Sequence, residues 1–349
     1  DKWICQYVPL PDRSIDVARF EHGYALSGHH LLLYPTRLDA ADVDLDPFEC
    51  PGGATPEEGI TGFTYVAQLP SGEVAYPPGV AWHYEASEVV LLEAHVVNAT
   101  DAAIPVDHRM NLWFADQPAD QYAGTLFLFD TGIYVPAHGT YTARMDCAVP
   151  ADITVTALQS HMHLRGEAYR SWLTGGPLEE PQPLLTIDRD WAPSEPVELS
   201  PPLQIQAGQR LRYECDYQND EDEPIVSGPS KYKNEMCMLM GTYWPRQSAA
   251  FDLCALPDSG SVFDGDQTCA QTLGCTSSAT DPIAEQACLV KTCEASSMPL
   301  ATFRGCVFSQ CISAGECGGA DCQECAAERC EAELGGCLDA GCTAAEDLM

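Results

Sequence analysis

The sequence predicts an all-β sandwich fold for the first 256 residues, followed by a small disulfide-rich and partly helical module. Strand-like runs such as Thr125–Phe129 and Arg210–Cys215 alternate with turns rich in Gly, Pro and Asp. No long stretch shows the 3.6-residue apolar period of an amphipathic helix. A chain of 349 residues has room for two domains and an appendage. Antiparallel sandwiches are the architecture typical of such strand patterns.

The segment Ser160–Gly166 contains two histidines that are one residue apart. The preceding run Ile153–Leu158 is β-branched and strand-like. Because side chains at positions i and i+2 lie on one face of a strand, His161 and His163 are expected to form a pair of metal ligands. Two hydrogen-bonded polar side chains without a metal would give the same pattern.

The remaining histidines are clustered as well. His29 and His30 are adjacent, and His95 lies inside the strand-like run Val89–Val97. Five of the nine histidines therefore occupy positions where ligands could stand. The other four lie in polar or Gly/Pro-flanked surroundings and are expected to face solvent; they are His22, His83, His108 and His138.

Three methionines alternate in the segment Asn234–Pro245, at positions 236, 238 and 240. A thioether is a soft ligand that suits copper, above all Cu(I), and hardly suits zinc. The same alternation is typical of one apolar face of a buried strand. Composition and periodicity leave both interpretations open.

Five segments occur in an order that resembles the motifs of a known family: Lys2–Cys5, Gly28–Tyr34, Val90–Asn98, His161–Gly166 and Glu235–Cys237. The family is that of the type II, ascorbate-dependent copper monooxygenases, which includes dopamine β-monooxygenase and peptidylglycine α-hydroxylating monooxygenase. The resemblance covers residues 1 to about 256 and leaves the rest of the chain unexplained.

The resemblance implies two similar jelly-roll-like antiparallel sandwiches, at residues 1–146 and 147–256, with two copper ions facing each other across a solvent-filled cleft. His29, His30 and His95 would hold the electron-transfer copper. His161, His163 and Met236 would be the catalytic residues that hold the oxygen-binding copper. An all-imidazole site supports both Cu(II) and Cu(I), while a thioether favours the reduced ion that meets dioxygen.

The implied cofactors are two copper ions per chain, with ascorbate or another one-electron donor as cosubstrate. The implied function is hydroxylation of an aliphatic or benzylic C–H bond of a small organic or peptide-derived substrate with O2. A non-catalytic extracellular copper-binding or ligand-binding protein is the alternative. Zinc hydrolysis at a three-histidine site, with Glu93 as the base, is a further possibility that would leave Met236 unused.

Departures from the family pattern narrow the substrate. In the peptidylglycine enzymes an Arg and a Tyr hold the substrate carboxylate, and the matching positions here are Gln159 and Met240. These side chains cannot form a bidentate salt bridge, so a peptidylglycine substrate is not expected. Gln159 and Glu93 look like their equivalents in the dopamine β-monooxygenase branch. We expect Gln159, Met238 and Met240 to line a mostly apolar substrate pocket.

The eighteen cysteines indicate an oxidising compartment, so the protein is expected to be secreted, periplasmic or extracellular. The resemblance implies the disulfides Cys5–Cys50, Cys147–Cys254 and Cys215–Cys237. The sequence shows neither a signal peptide nor an apolar run of membrane-spanning length, so a processed, soluble chain is expected. A net charge of −35 argues against nucleic acid as a partner.

Residues 257–349 contain the other twelve cysteines, largely in pairs of the form C-x4-C between Ala- and Glu-rich stretches. Antiparallel helices would bring such pairs together as nested bridges, which predicts Cys288–Cys311, Cys293–Cys306, Cys325–Cys342 and Cys330–Cys337. Covalent links would replace the apolar core that small residues cannot build. Metal storage by the thiols is the alternative, and the partner of this appendage is not readable from the sequence.

Overall fold

The computed structural model describes residues 2–25, 28–51, 59–98, 100–188, 196–256, 258–312 and 321–342. Most of the regular structure consists of strands in antiparallel sheets, and the helices lie after residue 248. Among the described residues, β7 with β10 is the one parallel strand pair. The all-β fold class with a disulfide-rich C-terminal region is therefore confirmed.

Two sheets pack face to face in the first part of the chain. One has the strand order β4-β1-β8-β3-β5, and the other has β10-β7-β2-β6 with β9 also paired to β2. Inward-facing residues of both sheets, such as Phe20 on β2 and Leu31 on β3, share one buried core. The strands are β1 (Lys2–Pro9), β2 (Ile15–Tyr24), β3 (Gly28–Pro35), β4 (Phe48–Glu49), β5 (Tyr65–Ala67), β6 (Ser71–Ala75), β7 (Val80–Tyr84), β8 (Val89–Val96), β9 (His108–Phe114) and β10 (Gln121–Tyr122).

A second sandwich follows. Its sheets have the orders β11-β20-β14-β17 and β16-β15-β18-β13-β21, and β12 pairs with β19. Leu128 on β11 and Tyr213 on β18 belong to one core between these sheets. The strands are β11 (Gly124–Asp130), β12 (Tyr134–Val135), β13 (Gly139–Ala148), β14 (Ile153–His161), β15 (Gly166–Gly175), β16 (Gln182–Asp188), β17 (Val197–Ile205), β18 (Gln209–Asn219), β19 (Ile225–Val226), β20 (Cys237–Trp244) and β21 (Gly260–Ser261).

The chain changes sandwich earlier than the expected boundary at residue 146. Strand β10 pairs with β7 of the first sandwich, whereas β11 pairs with β20 and β13 with β18 of the second. Backbone hydrogen bonds assign a strand to its sheet, so we propose that the two sandwiches divide between Tyr122 and Gly124. The boundary between the second sandwich and the tail near residue 256 stays a proposal.

The tail packs short helices around a small core that contains Leu289, Leu300 and Phe303 together with disulfide cysteines. Local signals start two of these helices: Thr268 and Gln271 form a capping box before α2, and Asp281 caps α3 ahead of Pro282. No helix among the described residues is long and apolar enough to cross a membrane. The helices are α1 (Ala249–Asp252), α2 (Cys269–Thr276), α3 (Pro282–Leu289), α4 (Glu294–Val307), α5 (Asp321–Arg329) and α6 (Glu331–Asp339), with a π-helical turn at Phe308–Ile312.

The disulfides of the sandwiches are the three pairs that the resemblance implied, Cys5–Cys50, Cys147–Cys254 and Cys215–Cys237. The nested bridges predicted for the tail are wrong. The tail forms Cys269–Cys337, Cys275–Cys288, Cys293–Cys342, Cys306–Cys330 and Cys311–Cys325. The two members of a C-x4-C pair bond to different parts of the tail. Cys288, in the last turn of α3, is bonded to Cys275 on α2, whereas Cys293, just before α4, is bonded to Cys342, three residues after the end of α6. Cys322 is also disulfide-bonded, and Cys317 lies outside the described residues.

Candidate metal centre

Three histidines converge at the end of the first sandwich. His29 and His30 lie on β3, and His95 lies on β8 directly opposite His30. The register of β3 against β8 shifts between Gly28 and His30. Such a bulge lets two adjacent side chains reach the same side of a strand, which regular pleating would forbid. One ligand atom of each imidazole lies within 4.8 Å of the others, so the three side chains could hold a single metal ion.

Burial prepares these imidazoles to act as ligands. It lowers the pKa of His29 and of His95 to about 4, and that of His30 well below its usual value. Charge repulsion among the imidazoles and from Lys231 acts in the same direction. Neutral imidazoles carry the lone pairs that metals require. The Nδ1 atoms of His29 and His30 are buried without a hydrogen-bond partner. Together with His95 these residues offer three nitrogen donors, a set that fits copper.

Trp3 covers this cluster. It lies on β1 opposite His95, and its indole stacks on the His95 ring with centroids 4.1 Å apart. Its edge also meets the ring of His30 at 5.0 Å. The segment Lys2–Cys5 therefore has two roles. Trp3 forms one wall of the site, and Cys5 forms a disulfide with Cys50.

Hydrogen bonds made by the Nδ1 atoms of His161 and His163 fix the orientation of both rings. His161 ends β14 and His163 follows it beyond the strand, with ring centroids 5.2 Å apart. The Nδ1 of His161 donates to Oε1 of Gln68 at 3.2 Å, and the Nδ1 of His163 donates to the backbone carbonyl of Asn234 at 3.0 Å. These bonds leave the lone pair of each ring on Nε2, which is the arrangement that ligating histidines use.

Glu235 joins the His-x-His segment to the methionine segment. It is fully buried, and its two carboxylate oxygens accept from the backbone N–H groups of His163 and Arg165, each at 2.8 Å. The Arg165 side chain donates to the carbonyl of Tyr232 at 2.6 Å. Burial raises the pKa of Glu235 to about 7, against the effect of these donors. Residues 229–236 are thus tied to the turn that carries His163.

Met236 is positioned by its backbone. Its carbonyl accepts from the hydroxyl of Tyr217 at 2.7 Å, and the next residue is anchored by the disulfide Cys215–Cys237. At Gly166 in the same region, an added Cβ would lie 2.8 Å from the Met162 side chain. Close packing against Met162 therefore favours glycine at this position.

Both sets of side chains line one cavity of about 140 Å³. The cleft that the resemblance implied between the two sites therefore corresponds here to this one cavity. Gln68 of the first sandwich bonds to His161 of the second, and the loop at residues 229–232 forms part of the wall. The residues lining the cavity are Trp3, His29, His30, His95, His161, His163, Pro229, Ser230, Lys231, Tyr232 and Met236.

Comparison with known proteins gives two matches. The family model described as "Copper type II ascorbate-dependent monooxygenase, C-terminal domain" matches residues 129–264. The protein named "DBH-like monooxygenase protein 1", from Gallus gallus, is 27% identical over 246 residues, which is 62% of this chain. These two matches support the copper type II, ascorbate-dependent monooxygenase family for this chain. It spans 39% of the length of that relative.

Similarity to solved structures is weak. Dimeric latent PorU from Porphyromonas gingivalis is 11% identical with a TM-score of 0.16, over 69% of this chain and 24% of that one. A structure of infectious bursal disease virus Gt strain is 11% identical with a TM-score of 0.12, over 68% and 64% of the two chains. Scores this low carry no argument about fold or function.

Beside the candidate metal ligands lies an apolar pocket of about 350 Å³. Met238 and Met240 line it as expected, whereas Gln159 is buried on β14 opposite Met240 and is not among the described residues that line it. Glu93 is fully buried in the wall and accepts from the hydroxyl of Tyr34 at 3.3 Å. The lining consists of Trp3, His30, Leu32, Tyr34, Phe63, Val66, Gln68, Glu93, Phe127, Phe129, His161, Pro229, Met236, Met238 and Met240.

Sequence reasoning missed several residues of this candidate site. Trp3 and Glu235 stood inside motifs that were recognised, but their roles depend on partners far away in the chain. Gln68 and Phe63 carried no sequence signal at all. His22 corrects the expectation of exposure: it is buried and bonds to the Tyr65 hydroxyl at 2.7 Å.

Proposed function

We propose that the chain is a copper-dependent monooxygenase that uses O2 and an external one-electron reductant such as ascorbate. It would hydroxylate an aliphatic or benzylic C–H bond of a small organic or peptide-derived substrate. The observation that carries this proposal is that six side chains from four distant segments line one cavity next to an apolar pocket. They are His29, His30, His95, His161, His163 and Met236.

The donor sets fit two copper ions of different character. Three neutral imidazoles suit a site that alternates between Cu(II) and Cu(I), and two imidazoles with a thioether favour Cu(I). Copper, when bound, supplies one-electron transfer at the first set and activation of dioxygen at the second. A thioether at the second set has no use in zinc hydrolysis, which requires a polarised water and a base.

The protein's own residues orient and shield this chemistry. Gln68 and the carbonyl of Asn234 fix which nitrogen of His161 and of His163 faces the cavity. Glu235 holds the turn after His161 against the segment before Met236. Half-buried and buried apolar side chains of the neighbouring pocket exclude water from the bound substrate.

The pocket supports a substrate with an apolar body and one polar or cationic group. Glu93 is the one carboxylate among its lining residues, and none of those residues is Lys or Arg. A substrate carboxylate would therefore meet a buried acid without a compensating cation. This argues against a peptidylglycine and for a neutral or amine-bearing molecule.

The eight described disulfides support an extracellular or secreted location, because such bonds persist in oxidising compartments. The acidic charge of −35 favours approach of a cationic substrate over an anionic one. The small-molecule partner would then be met outside the cell.

The variant Met236→Ile tests the function. We expect the unmodified chain to bind two copper ions and to show a copper–sulfur path by X-ray absorption in the reduced form. The variant should lose the sulfur path and lose ascorbate-dependent hydroxylation of 2-phenylethylamine, used as a benzylic probe. Met110→Ile, a half-buried methionine of the first sandwich core, is the matched control and should leave both unchanged.

The outcomes separate the two hypotheses. Retained ascorbate-driven turnover in Met236→Ile would contradict the role of the thioether. A single bound copper, or copper without sulfur, would instead favour the non-catalytic copper-binding alternative.

A further inference from the structure

An apolar groove separates the second sandwich from the tail. It measures about 780 Å³, and its walls come from β11, from the segment after α1 and from helices α2 to α4. Its side chains include Phe127, Phe129, Leu273, Leu300 and Phe303. The tail therefore contributes a surface that faces the monooxygenase sandwich.

The groove lies next to the pocket beside Met236. Phe63, Phe127 and Phe129 line both cavities. On β11 the leucines at 126 and 128 point into the sandwich core, so the alternating phenylalanines at 127 and 129 lie on the opposite face. The rings of Phe63 and Phe127 stack with centroids 3.5 Å apart, in the wall that the two cavities share.

The groove offers almost no charge to a ligand. Its two charged lining residues, Glu285 and Arg304, pair with each other at 3.3 Å and are both about half exposed. Phe308, at the start of the π-helical turn, is 60% exposed and lines the groove. In a chain with a net charge of −35, an exposed apolar surface of this kind needs a binding partner to explain it.

We propose that the disulfide-rich tail forms the outer half of an elongated binding channel for molecules that carry a long aliphatic chain. The reactive end of the molecule occupies the Met-lined pocket, and the chain passes the stacked Phe63 and Phe127 rings into the groove. This inference rests on the proposed function for the identity of the inner pocket. It narrows the substrate class from small organic molecules to long-chain ones.

Binding of a homologous series tests the channel. Straight-chain 1-alkanols from hexanol to dodecanol are titrated against the full-length chain, and displacement of the neutral fluorophore 1-aminoanthracene reports affinity. Each methylene that enters the groove is expected to raise affinity by up to about fourfold, the equivalent of about 0.8 kcal/mol per buried methylene. The rise should continue to the longest members.

The variant Phe308→Asp places a charge at the mouth of the groove on a side chain that is already exposed. We expect the variant to bind the longest alkanols about tenfold or more weakly than the unmodified chain does. Its affinity for the shorter alkanols should not change. Leu338→Asp is the matched control, because Leu338 is 53% exposed on α6 and lines neither cavity. It should bind the whole series like the unmodified chain.

Phe63, in the wall that the two cavities share, supplies a second test. Phe63→Ala removes one ring of the stacked pair and should speed association of dodecanol more than that of hexanol, as measured by stopped-flow fluorescence. An affinity that stops rising at the short alkanols in the unmodified chain would overturn the proposal. Equal long-chain affinity in Phe308→Asp would overturn it as well.

Failure here is distinguishable from failure of the proposed function. The unmodified chain could bind two coppers, show copper–sulfur scattering and turn over 2-phenylethylamine, while its affinity for alkanols does not depend on their length. That result would support the proposed monooxygenase function and contradict the channel. Chain-length-dependent binding without copper or turnover would leave the channel in a ligand-binding protein.

Discussion

Glu235 shows how one side chain connects two ordered motifs that lie about seventy residues apart. Its two oxygens accept from backbone groups on both sides of Leu164. A glutamine at this position has one acceptor oxygen, so one buried N–H would lose its partner. The residue is therefore a positioning residue for His163 and Met236.

We expect Glu235→Gln to lower the free energy of unfolding by about 1–3 kcal/mol. Copper affinity at the second site should fall about 10- to 100-fold, because partners that orient a ligand contribute on that scale. Thermal denaturation and copper titration measure the two effects. Glu73→Gln, which removes an exposed ion pair with Arg19, is the control and should change neither. Unchanged copper binding in Glu235→Gln would contradict the positioning role.

Gln68 crosses from the first sandwich to His161 of the second. In Gln68→Leu the Nδ1 of His161 loses its acceptor, and we expect about 10- to 100-fold weaker copper binding at the second site with the first site unchanged. Site-resolved X-ray absorption on partially loaded protein distinguishes the two sites. Gln218→Leu, an exposed glutamine that bonds to Asp220, serves as the control. Equal loss at both sites would mean that the variant acts on the whole fold.

At the scale of elements, short pairings decide which side chains meet. The bulge at His29 turns adjacent histidines to one side, and the pairing of β11 with β20 places Phe127 opposite Met240. The sequence predicted that these segments would be strands. It did not predict bulges or partners, because these depend on hydrogen bonds to strands far away in the chain.

Strand β11 also meets the tail side of the molecule through Asp130. This carboxylate is fully buried and accepts from the Ser261 hydroxyl on β21 and from the backbone N–H of Gly132. Burial raises the pKa of Asp130 to about 6 from its ordinary 3.8. The folded state therefore holds the proton more tightly than the unfolded state, and stability contributed by this group is lost as pH rises from about 4 through 6.

Asp130→Asn should relieve that penalty. We expect the variant and the unmodified chain to have similar melting temperatures at pH 4, and the variant to be more stable at pH 8 by on the order of 2 kcal/mol. Thermal denaturation at pH 4, 6 and 8 measures the difference. Asp222→Asn, at a side chain that is 95% exposed, should show no such trend. A difference that is constant with pH would contradict the assignment.

At the scale of the whole molecule, the two sandwiches bring both sets of candidate ligands to one cavity. We expect the unpaired electrons of two Cu(II) ions bound there to interact. We expect the electron paramagnetic resonance spectrum of the doubly loaded chain to be broader and weaker than the sum of two single-site spectra. His95→Ala and His161→Ala, each loaded at its remaining site, supply those reference spectra.

A spectrum of the doubly loaded chain that equals the sum of the two single-site spectra would contradict this expectation. It would mean that the two sandwiches lie further apart in solution, with an open cleft between the copper sites. The measurement therefore tests the joint cavity without any need for turnover. Neither outcome of this measurement changes which residues are assigned as ligands of each copper.

The sequence by itself indicated the fold class, the resemblance to the copper monooxygenase family, the six candidate ligands and the three disulfides of the sandwiches. These follow from local periodicity and from ordered motifs, both of which are written in neighbouring residues. Only the tertiary structure decided the tail bridges, the strand pairing behind the proposed division between Tyr122 and Gly124, the joint cavity and the walls of the groove. Each of these depends on which distant surfaces pack together, and packing free energy is a property of pairs of segments that no single segment encodes.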